Sequence, residues 1–344
     1  AAVSQLTPAE LRDAASEPVP APDPDAPAPV LILTTGTTGA PKGARHDWRR
    51  LLAGVHVPAG VDAPRWLLAC NLNQFAGIQV LLHALASAGS LVVPASRRPA
   101  DVAAAIAEHG VTHASGTPTF WRLLSRELDP QSAAQLPLAQ ITLGGEAASD
   151  QLLSALRELF PQARISHVYA GTEVGSVVSV SDGRAGLPVS LLEGDGSAHA
   201  SFKIVDGELH VRSDVGMLGY QAGADDAAGW RATGDQVEVR DGRIQFVGRS
   251  SEIINVGGAK VHPLPVEQLI GSVPGVQIAA VYGRPSPITG QIVSADVVAA
   301  PGHDVQALEA EIRQACEALP AAGRPRRIRF VDQVQTRGHK VVRQ

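Results

Sequence analysis

The sequence predicts an α/β fold with a mostly parallel sheet and helices on both faces, an added antiparallel β portion, and a small mobile α+β C-terminal domain. Apolar strand-like runs alternate with amphipathic helical stretches up to about residue 180. Short alternating runs separated by Gly and Asp turns follow, and a second change of pattern comes near Arg249. We expect a Pro/Ala-rich arm at 1–29, a binding core at 30–249 and the C-terminal domain at 250–344.

Composition narrows the class of protein. Apolar residues make up 44% of the 344 residues and charged residues 18%, which is typical of a globular chain with a sizeable core. A net charge of −5 argues against nucleic acid as the main partner. Cys70 and Cys316 form no CxxC pair, and no bilayer-length apolar run or signal peptide occurs. We therefore expect a cytoplasmic protein with no membrane partner.

The elements follow in order along the chain. The arm contains too many prolines for helix or sheet ladders, and Val30–Leu33 is a continuous apolar run typical of a buried parallel strand. Asp101 is expected to cap a helix that Gly110 ends. The next predicted elements are a strand at 111–114, a helix at 118–128, a strand at 141–143, a helix ending at Phe160 that Ser149 caps, and a strand at 164–169. Later patterns predict an antiparallel meander at 202–205, 208–212, 236–240 and 243–247, and a helix at 304–319.

A loop rich in Thr and Gly directly follows the first predicted strand. It reads Thr-Thr-Gly-Thr-Thr-Gly-Ala-Pro-Lys-Gly over residues 34–43. Glycines let a backbone approach phosphate oxygens closely, Thr hydroxyls donate hydrogen bonds to them, and Lys42 supplies positive charge. The loop lacks the Gly-Lys-Ser/Thr ending of a P-loop, so taken alone it is equally consistent with a plain connecting turn.

Polar segments occur at the ends of other predicted elements. Tyr169–Gly175 offers an aromatic ring, a hydroxyl and a carboxylate after a strand, where ligands bind in open α/β sheets. Further motifs contain Asp235, Arg249 and, near the C-terminus, Lys340. Each charged residue by itself is consistent with an ordinary surface side chain. Their order along the chain is what points to a function.

In this order the segments resemble the adenylate-forming superfamily, which includes acyl- and aryl-CoA ligases and the adenylation domains of peptide synthetases. The resemblance covers residues 31–343. It implies a two-step reaction, in which a carboxylate attacks the α-phosphate of ATP to give an acyl-adenylate and pyrophosphate, and a thiol then displaces AMP. Because the first step joins two anions, cations and oriented donors must offset their repulsion.

The resemblance also assigns roles to residues. Lys340, Glu173 and Thr172 would contact the reacting groups, Glu173 as a ligand of Mg²⁺, and Ser251 would lie at a hinge. The residues that would bind ATP are Thr34, Thr35, Gly36, Thr37, Thr38, Gly39, Lys42, Gly145, Glu146, Tyr169, Asp235 and Arg249. Among them, Tyr169 would lie beside adenine and Asp235 would accept hydrogen bonds from the ribose hydroxyls. The residues that would frame the acid are Gln74, Phe75, Gly77, Ser115, Gly116, Thr117, Gly144 and Gly171.

The chain also departs from the family pattern. About thirty residues precede the Thr/Gly/Lys loop, where members usually have a further N-terminal subdomain, and His339 stands where Gly usually precedes the lysine. The neutral pocket predicts an aryl or medium acyl acid as substrate, with ATP, Mg²⁺ and CoA. Two alternatives stay open, namely adenylation with a carrier-protein or amine acceptor, and an inactive or partner-dependent adenylate-binding relative. An oligomer is also possible.

Overall fold

The computed structural model describes residues 29–35, 41–57, 63–195, 197, 199–221, 229–337, 340–341 and 343, so the predicted arm at 1–28 lies outside the described residues. The first eight strands are β1 Pro29–Thr35, β2 Pro41–Asp47, β3 Arg65–Leu67, β4 Ser90–Val92, β5 His113–Gly116, β6 Gln140–Gly144, β7 Arg164–Gly171 and β8 Gly175–Val180. The helices among them are α1 Trp48–Ala53, α2 Phe75–Ala86, α3 Pro99–His109, α4 Pro118–Leu124, α5 Pro130–Ala133 and α6 Asp150–Leu159.

A six-stranded sheet in the order β4-β3-β5-β6-β7-β8 forms the centre of the fold. All neighbours pair in parallel except β7 and β8, which are antiparallel. Helices α3, α4 and α6 pack on one face around the buried Trp121 and Ile141. Helix α2 packs on the other face, against Trp66 and Leu68. This confirms the predicted parallel sheet with helices on both faces.

The prediction of a buried parallel strand at Val30–Leu33 was wrong. These residues belong to β1, which pairs antiparallel with β2 at the edge of a three-stranded sheet. Ile32 is buried against α1 and α2, whereas Leu31 and Leu33 are 41% and 49% exposed. Side chains alternate between the two faces of a strand, and only one face of this one is covered. A short apolar run is compatible with either arrangement.

The predicted caps and ends of the helices were partly correct. Gly110 ends α3 in a left-handed conformation with φ +57°, and Ser149 caps α6 by accepting a hydrogen bond from the Leu152 amide at 3.3 Å, as predicted. The prediction that Asp101 caps α3 was wrong, because Pro99 begins the helix and leaves Asp101 inside its first turn.

Three predicted bounds also move. The strand expected at 111–114 is His113–Gly116, because the Val111 amide still bonds to the Ile106 carbonyl at the end of α3. Helix α4 ends at Leu124 rather than at residue 128. At this observed end, the Ser125 hydroxyl donates a hydrogen bond to the Trp121 carbonyl oxygen. The helix expected at 304–319 is regular only to Ala315 and continues as a 3₁₀ turn.

The middle of the chain forms the predicted antiparallel meander. Its strands are β9 Leu187–Pro188, β10 Ala200–Val205, β11 Glu208–Ser213, β12 Gly219–Tyr220, β13 Arg231–Arg240 and β14 Arg243–Arg249. Five of them form a sheet in the order β10-β11-β13-β14-β9, in which all pairs are antiparallel. Strand β12 instead joins β2 in the three-stranded sheet. A 3₁₀ helix at Val189–Glu193 links β9 to β10.

Residues 29–249 are called here the large unit. The remaining chain forms a smaller α+β unit, called the C-terminal unit (residues 254–343). The elements of the C-terminal unit are β15 Ile254–Val256, β16 Ala259–Val261, α7 Pro263–Gly271, β17 Val276–Ser286, β18 Gly290–Ala299, α8 Val305–Ala315, β19 Arg327–Phe330, β20 Thr336–Arg337 and β21 Lys340–Val341. Helices α7 and α8 pack on the sheet β16-β15-β18-β17 through Val266, Ile270 and Ile312. A 3₁₀ turn at Ser250–Glu252 connects the two units. Among the described helices, none has both the length and the hydropathy that crossing a bilayer requires.

Candidate active site

A large cavity of about 1950 Å³ lies where the carboxyl ends of the parallel strands, strand β1, the antiparallel sheet and the C-terminal unit meet. Most of the residues that the sequence analysis selected line it. They are Thr34, Gln74, Phe75, Ser115, Gly116, Thr117, Gly144, Gly145, Glu146, Tyr169, Gly171, Thr172, Glu173, Asp235, Arg249 and Ser251. Segments far apart in the chain therefore share one space.

The other selected residues are placed differently. Gly36, Thr37, Thr38 and Gly39 lie outside the described residues, as do the side chains of Thr35 and Lys340. Lys42 lies in β2 opposite Thr34 and is not among the cavity-lining residues. Gly77 lies in α2 away from the cavity, where a Cβ would lie 2.1 Å from the Asn71 carbonyl oxygen. The close packing of α2 on this turn accounts for that glycine.

An aromatic–acid–base cluster forms one wall of the cavity. The Tyr169 hydroxyl donates to Asp235 Oδ2 at 2.7 Å, and Arg249 Nε lies 2.9 Å from Asp235 Oδ1. Strand pairing between β13 and β14 places Asp235 opposite Arg249, and the Tyr169 ring stacks on Phe246 with centroids 5.4 Å apart. Burial and the charge of Asp235 hold the pKa of Tyr169 well above its ordinary value, so the phenol remains a neutral donor. Asp235 is thus a fixed acceptor at the cavity surface.

Glu173 also lines the cavity, and it has a partner that the sequence analysis missed. The Tyr220 hydroxyl donates to Glu173 Oε1 at 3.1 Å. Tyr220 lies in the two-residue strand β12, and the Lys42 ammonium lies 5.6 Å from its ring centroid. Burial and the nearby carboxylate raise the pKa of Tyr220 to about 12, which keeps it a donor. No motif in the sequence marks so short a strand.

His46 is a second missed residue, buried behind the Thr172–Glu173 segment. Its Nε2 lies 2.7 Å from the Thr172 carbonyl oxygen, and its ring centroid lies 5.8 Å from that of Phe75. Burial lowers the pKa of His46, so the imidazole is neutral and Nε2–H donates to the carbonyl. This bond fixes the backbone at Thr172. The alternating burial of Ala44 and His46 is seen only in the structure, and the sequence around His46 carries no signal of this contact.

The start of α4 forms the floor of the cavity. Thr117 Oγ1 accepts from the Phe120 amide at 3.0 Å, and Glu146 Oε2 accepts from the Thr119 amide at 3.0 Å. Two side chains thus satisfy amides at this helix N-terminus, which Pro118 begins. One oxygen of Glu146 is therefore used within the protein.

The C-terminal unit reaches the same helix. Strand β21, which contains the backbone of Lys340, packs beside α4, and Val334 packs with Leu123 of α4. Ser251, the predicted hinge residue, lines the cavity within the 3₁₀ turn between the units.

Comparison with known families now decides the classification. The model of the AMP-binding enzyme family matches residues 2–221, and the model of the AMP-binding enzyme C-terminal domain matches residues 265–340. The chain belongs to the AMP-binding enzyme family. This membership confirms the resemblance to the adenylate-forming superfamily and the predicted fold class.

Individual relatives of this AMP-binding enzyme include named CoA ligases. The chain is 30% identical to a 2-succinylbenzoate–CoA ligase of Escherichia coli over 72% of its own length and 53% of the relative. It is 29% identical to a feruloyl-CoA synthase of Amycolatopsis over 96% of its own length and 71% of the relative. A structure of the anthranilate CoA ligase AuaEII in complex with anthranoyl-AMP superposes with a TM-score of 0.77 at 26% identity, covering 91% of this chain and 65% of that one. The chain thus spans between about half and seven tenths of these relatives.

Family membership indicates which class of ligand the cavity would bind. Because the matching family is described as AMP-binding, the cavity lined by the acceptor Asp235 and the carboxylate Glu173 is the candidate site for an adenine nucleotide. Within the described ranges no three His, Cys, Asp or Glu side chains gather as a metal site. A lone carboxylate fits Mg²⁺, which is usually bound through one or two carboxylates together with substrate phosphates.

Proposed function

We propose that this AMP-binding enzyme is an ATP-dependent acid–thiol ligase, which activates a carboxylic acid as its acyl-adenylate and transfers the acyl group to CoA. The observation that carries the proposal is the convergence of Thr34, Thr172, Glu173, Asp235 and Arg249 on one cavity beside the strand of Lys340. The relatives named as CoA ligases support the same reaction.

In the first step a carboxylate oxygen of the acid forms a bond to the α-phosphorus of ATP, and pyrophosphate leaves. Asp235 would accept both ribose hydroxyls and Tyr169 would flank the adenine, which fixes the nucleoside end. Thr34–Gly39 and Lys42 would bind the β- and γ-phosphates. Lys340 would lie between the two reacting anions, where its charge offsets their repulsion. Mg²⁺ bound at Glu173 would neutralise phosphate charge when present.

The two units are expected to have different functions. We propose that residues 30–249 bind ATP and the acid, that 250–344 carry the catalytic lysine, and that the chain turns at Ser251 between the two steps. In the second step the thiolate sulfur of CoA attacks the acyl carbonyl, and AMP leaves. We propose a cytoplasmic location, because the sequence has only two cysteines, which lie far apart in the chain and form no CxxC pair.

The acid pocket favours an aryl or medium acyl acid. Gln74 and Phe75 at the start of α2, Ser115 at the end of β5, and Gly144 and Gly171 at the ends of β6 and β7 contribute no charge. A bound α-amino acid would require a buried carboxylate for its ammonium group, and these five residues offer none. The names of three relatives refer to aromatic acids, namely 2-succinylbenzoate, ferulate and anthranilate, which supports an aryl acid as substrate.

The test is pyrophosphate release from ATP and Mg²⁺ with benzoates, other aryl acids and fatty acids, each with and without CoA. We expect multiple turnovers only when an aryl or medium acyl acid and CoA are both present. A single burst that CoA does not change would replace CoA by a carrier-protein or amine acceptor. Silence with every acid would contradict the proposal.

Replacement of Lys340 by Ala tests the catalytic assignment. We expect adenylation to fall by at least ~10²-fold, the usual scale for deleting one group that stabilises transition-state charge. Arg329→Gln is the matched control, because Arg329 forms an exposed pair with Asp296 in the same unit and does not line the cavity. Full adenylation activity in Lys340→Ala would remove the lysine from the mechanism.

A further inference from the structure

Arg343, three positions after Lys340, is bound by two acids. Its Nε and Nη2 donate to the two carboxylate oxygens of Glu267 at 2.8 and 2.7 Å, and its Nη1 donates to Glu252 Oε2 at 2.8 Å. The side chains of Arg343 and Glu267 are only 17% and 9% exposed. A planar guanidinium matches a carboxylate through two parallel hydrogen bonds, so this contact also fixes orientation.

These ion pairs join three separate segments. Glu252 ends the 3₁₀ turn between the units, and Glu267 lies in α7, where its Oε1 also accepts from the Val281 amide at 2.9 Å. Arg343 follows β21, which packs beside α4 of the large unit. All three side chains line the cavity. The chain after Lys340 is therefore fastened to the connection between the units.

The strand of Lys340 has little other support of its own among the described contacts. Among the described residues, β21 pairs with β20, through Thr336 with Val341 and Arg337 with Lys340. A hairpin with so few paired residues is marginal by itself. Its pairing holds the backbone at Lys340 and Val341, and the bonds of Arg343 anchor the chain two residues further on.

We propose that Arg343 is a positioning residue, whose ion pairs with Glu252 and Glu267 hold the backbone of Lys340 in place for adenylation. The inference rests on the proposed function, because it gives Arg343 a role only through Lys340. Arg343 is not assigned a contact with ATP or the acid. Loss of its bonds is expected to displace the lysine ammonium, and small displacements of a reacting group lower rates strongly.

The half-reactions separate positioning from a merely structural role. With benzoate as the first acid, ATP–pyrophosphate exchange measures adenylation, and CoA consumption from supplied benzoyl-adenylate measures the second step. We expect Arg343→Gln to lower kcat of exchange by about 10- to 100-fold, with KM for ATP and the second step changed by less than about threefold. Arg343→Lys should recover part of the loss, and the control Arg329→Gln should change neither step. An equal loss in both steps would overturn the inference.

A buried Glu267 without its cation could disturb folding, so a second variant is needed. Glu267→Gln combined with Arg343→Gln removes both charges of the most buried pair and avoids that problem. It should fold with the wild-type circular dichroism and still lose exchange activity. Normal exchange in this double variant would refute a positioning role.

Combination with Lys340→Ala distinguishes the inference from the proposed function. If Arg343 acts only through Lys340, Arg343→Gln causes no further loss of exchange in the Lys340→Ala background. A further 10-fold loss there would overturn the inference while leaving the proposed function intact. Unchanged exchange in Lys340→Ala alone would remove the lysine from the mechanism and overturn the inference, whereas absence of exchange in the wild-type enzyme with every acid would refute the proposed function. Hydrogen exchange gives a readout without turnover: amides of residues 336–343 should exchange faster in Arg343→Gln, and unchanged rates there would contradict the inference.

Discussion

Replacement of Asp235 by Ala is expected to weaken ATP binding strongly, because this carboxylate is the fixed acceptor of the cavity. Its side chain is 14% exposed and is held by Tyr169 and Arg249. Hydrogen bonds to a charged group contribute about 1.5–3 kcal/mol each. Two ribose hydroxyls sharing one carboxylate give a loss of about 3 kcal/mol, which corresponds to roughly a 150-fold rise in Kd for ATP.

The same change also affects the free energy of unfolding, and the two effects must be separated. In Asp235→Ala the buried Tyr169 hydroxyl loses its acceptor, which costs about 1–3 kcal/mol. The pair with Arg249 contributes at most about 1 kcal/mol, because the Arg249 side chain is 53% exposed and solvent replaces the contact. Asp235→Asn keeps an acceptor for Tyr169 and should remain within about 1 kcal/mol of wild type. It should nevertheless bind ATP weakly, since the charge is gone.

Calorimetric titration with ATP and urea unfolding, done on the same variants, distinguish the contributions. Tyr169→Phe is the matched control, since it removes the hydroxyl but leaves the ring and the pair between Asp235 and Arg249. We expect its Kd for ATP to rise by less than about fivefold, because Asp235 keeps its charge and its pair with Arg249. If folded Asp235→Ala binds ATP within threefold of wild type, Asp235 does not bind the ribose. If Tyr169→Phe loses as much affinity as Asp235→Ala, the loss reflects disorder of the cluster rather than a missing contact.

Three further predictions concern the supporting residues. Tyr220→Phe removes the donor to Glu173 and should raise the Mg²⁺ concentration for half-maximal pyrophosphate release by about 10-fold, as expected for a group that orients a metal ligand. An unchanged Mg²⁺ dependence would show that Tyr220 does not orient a metal ligand. Gly77→Ala places a Cβ 2.1 Å from the Asn71 carbonyl oxygen and should lower the free energy of unfolding by about 1–3 kcal/mol, whereas Gly271→Ala, with open space around it, should cost nothing in the same urea titration. Burial lowers the pKa of His46 in the folded protein below 6.5, so the unfolded chain binds more protons as pH falls through 6.5, and stability present above pH 6.5 should be lost towards the folded pKa. Urea midpoints at pH 7.5, 6 and 5 check this, and an equally steep loss in His46→Gln would show that other groups cause it.

Sequence predicted those features that local chemistry determines. Gly110 ends a helix because it adopts a left-handed backbone conformation. Ser149 caps a helix because its hydroxyl oxygen accepts a hydrogen bond from a backbone amide. The parallel sheet followed from the alternation of apolar runs with amphipathic helices. Val30–Leu33 was misassigned because partner and orientation of a strand are not encoded in a run of four apolar residues.

For the candidate site, the sequence predicted individual residues but not the contacts between them. Tyr169, Asp235 and Arg249 were selected from separate motifs. The register of β13 and β14 places Asp235 opposite Arg249, and packing of Tyr169 of β7 on Phe246 brings its hydroxyl to Asp235. His46 and Tyr220 were missed because a single His or Tyr in a strand is typical of an ordinary core position. Nothing in their neighbouring residues indicates that they contact Thr172 and Glu173, which lie far along the chain.

Strand β2 connects the residues proposed to contact ATP. It pairs with β1, which leads into the Thr/Gly loop, and with β12, which carries Tyr220, while its own His46 bonds to the Thr172 carbonyl. The described residues of β2 therefore contact the strand that leads into the loop, the strand that carries the partner of Glu173, and the Thr172 carbonyl. A shift of β2 would move the phosphate-binding loop and the support of Glu173 together, so a packing change at Ala44, buried and opposite Tyr220, should alter ATP affinity and Mg²⁺ dependence in parallel. A change confined to one of the two would mean that the loop and the carboxylate are held independently.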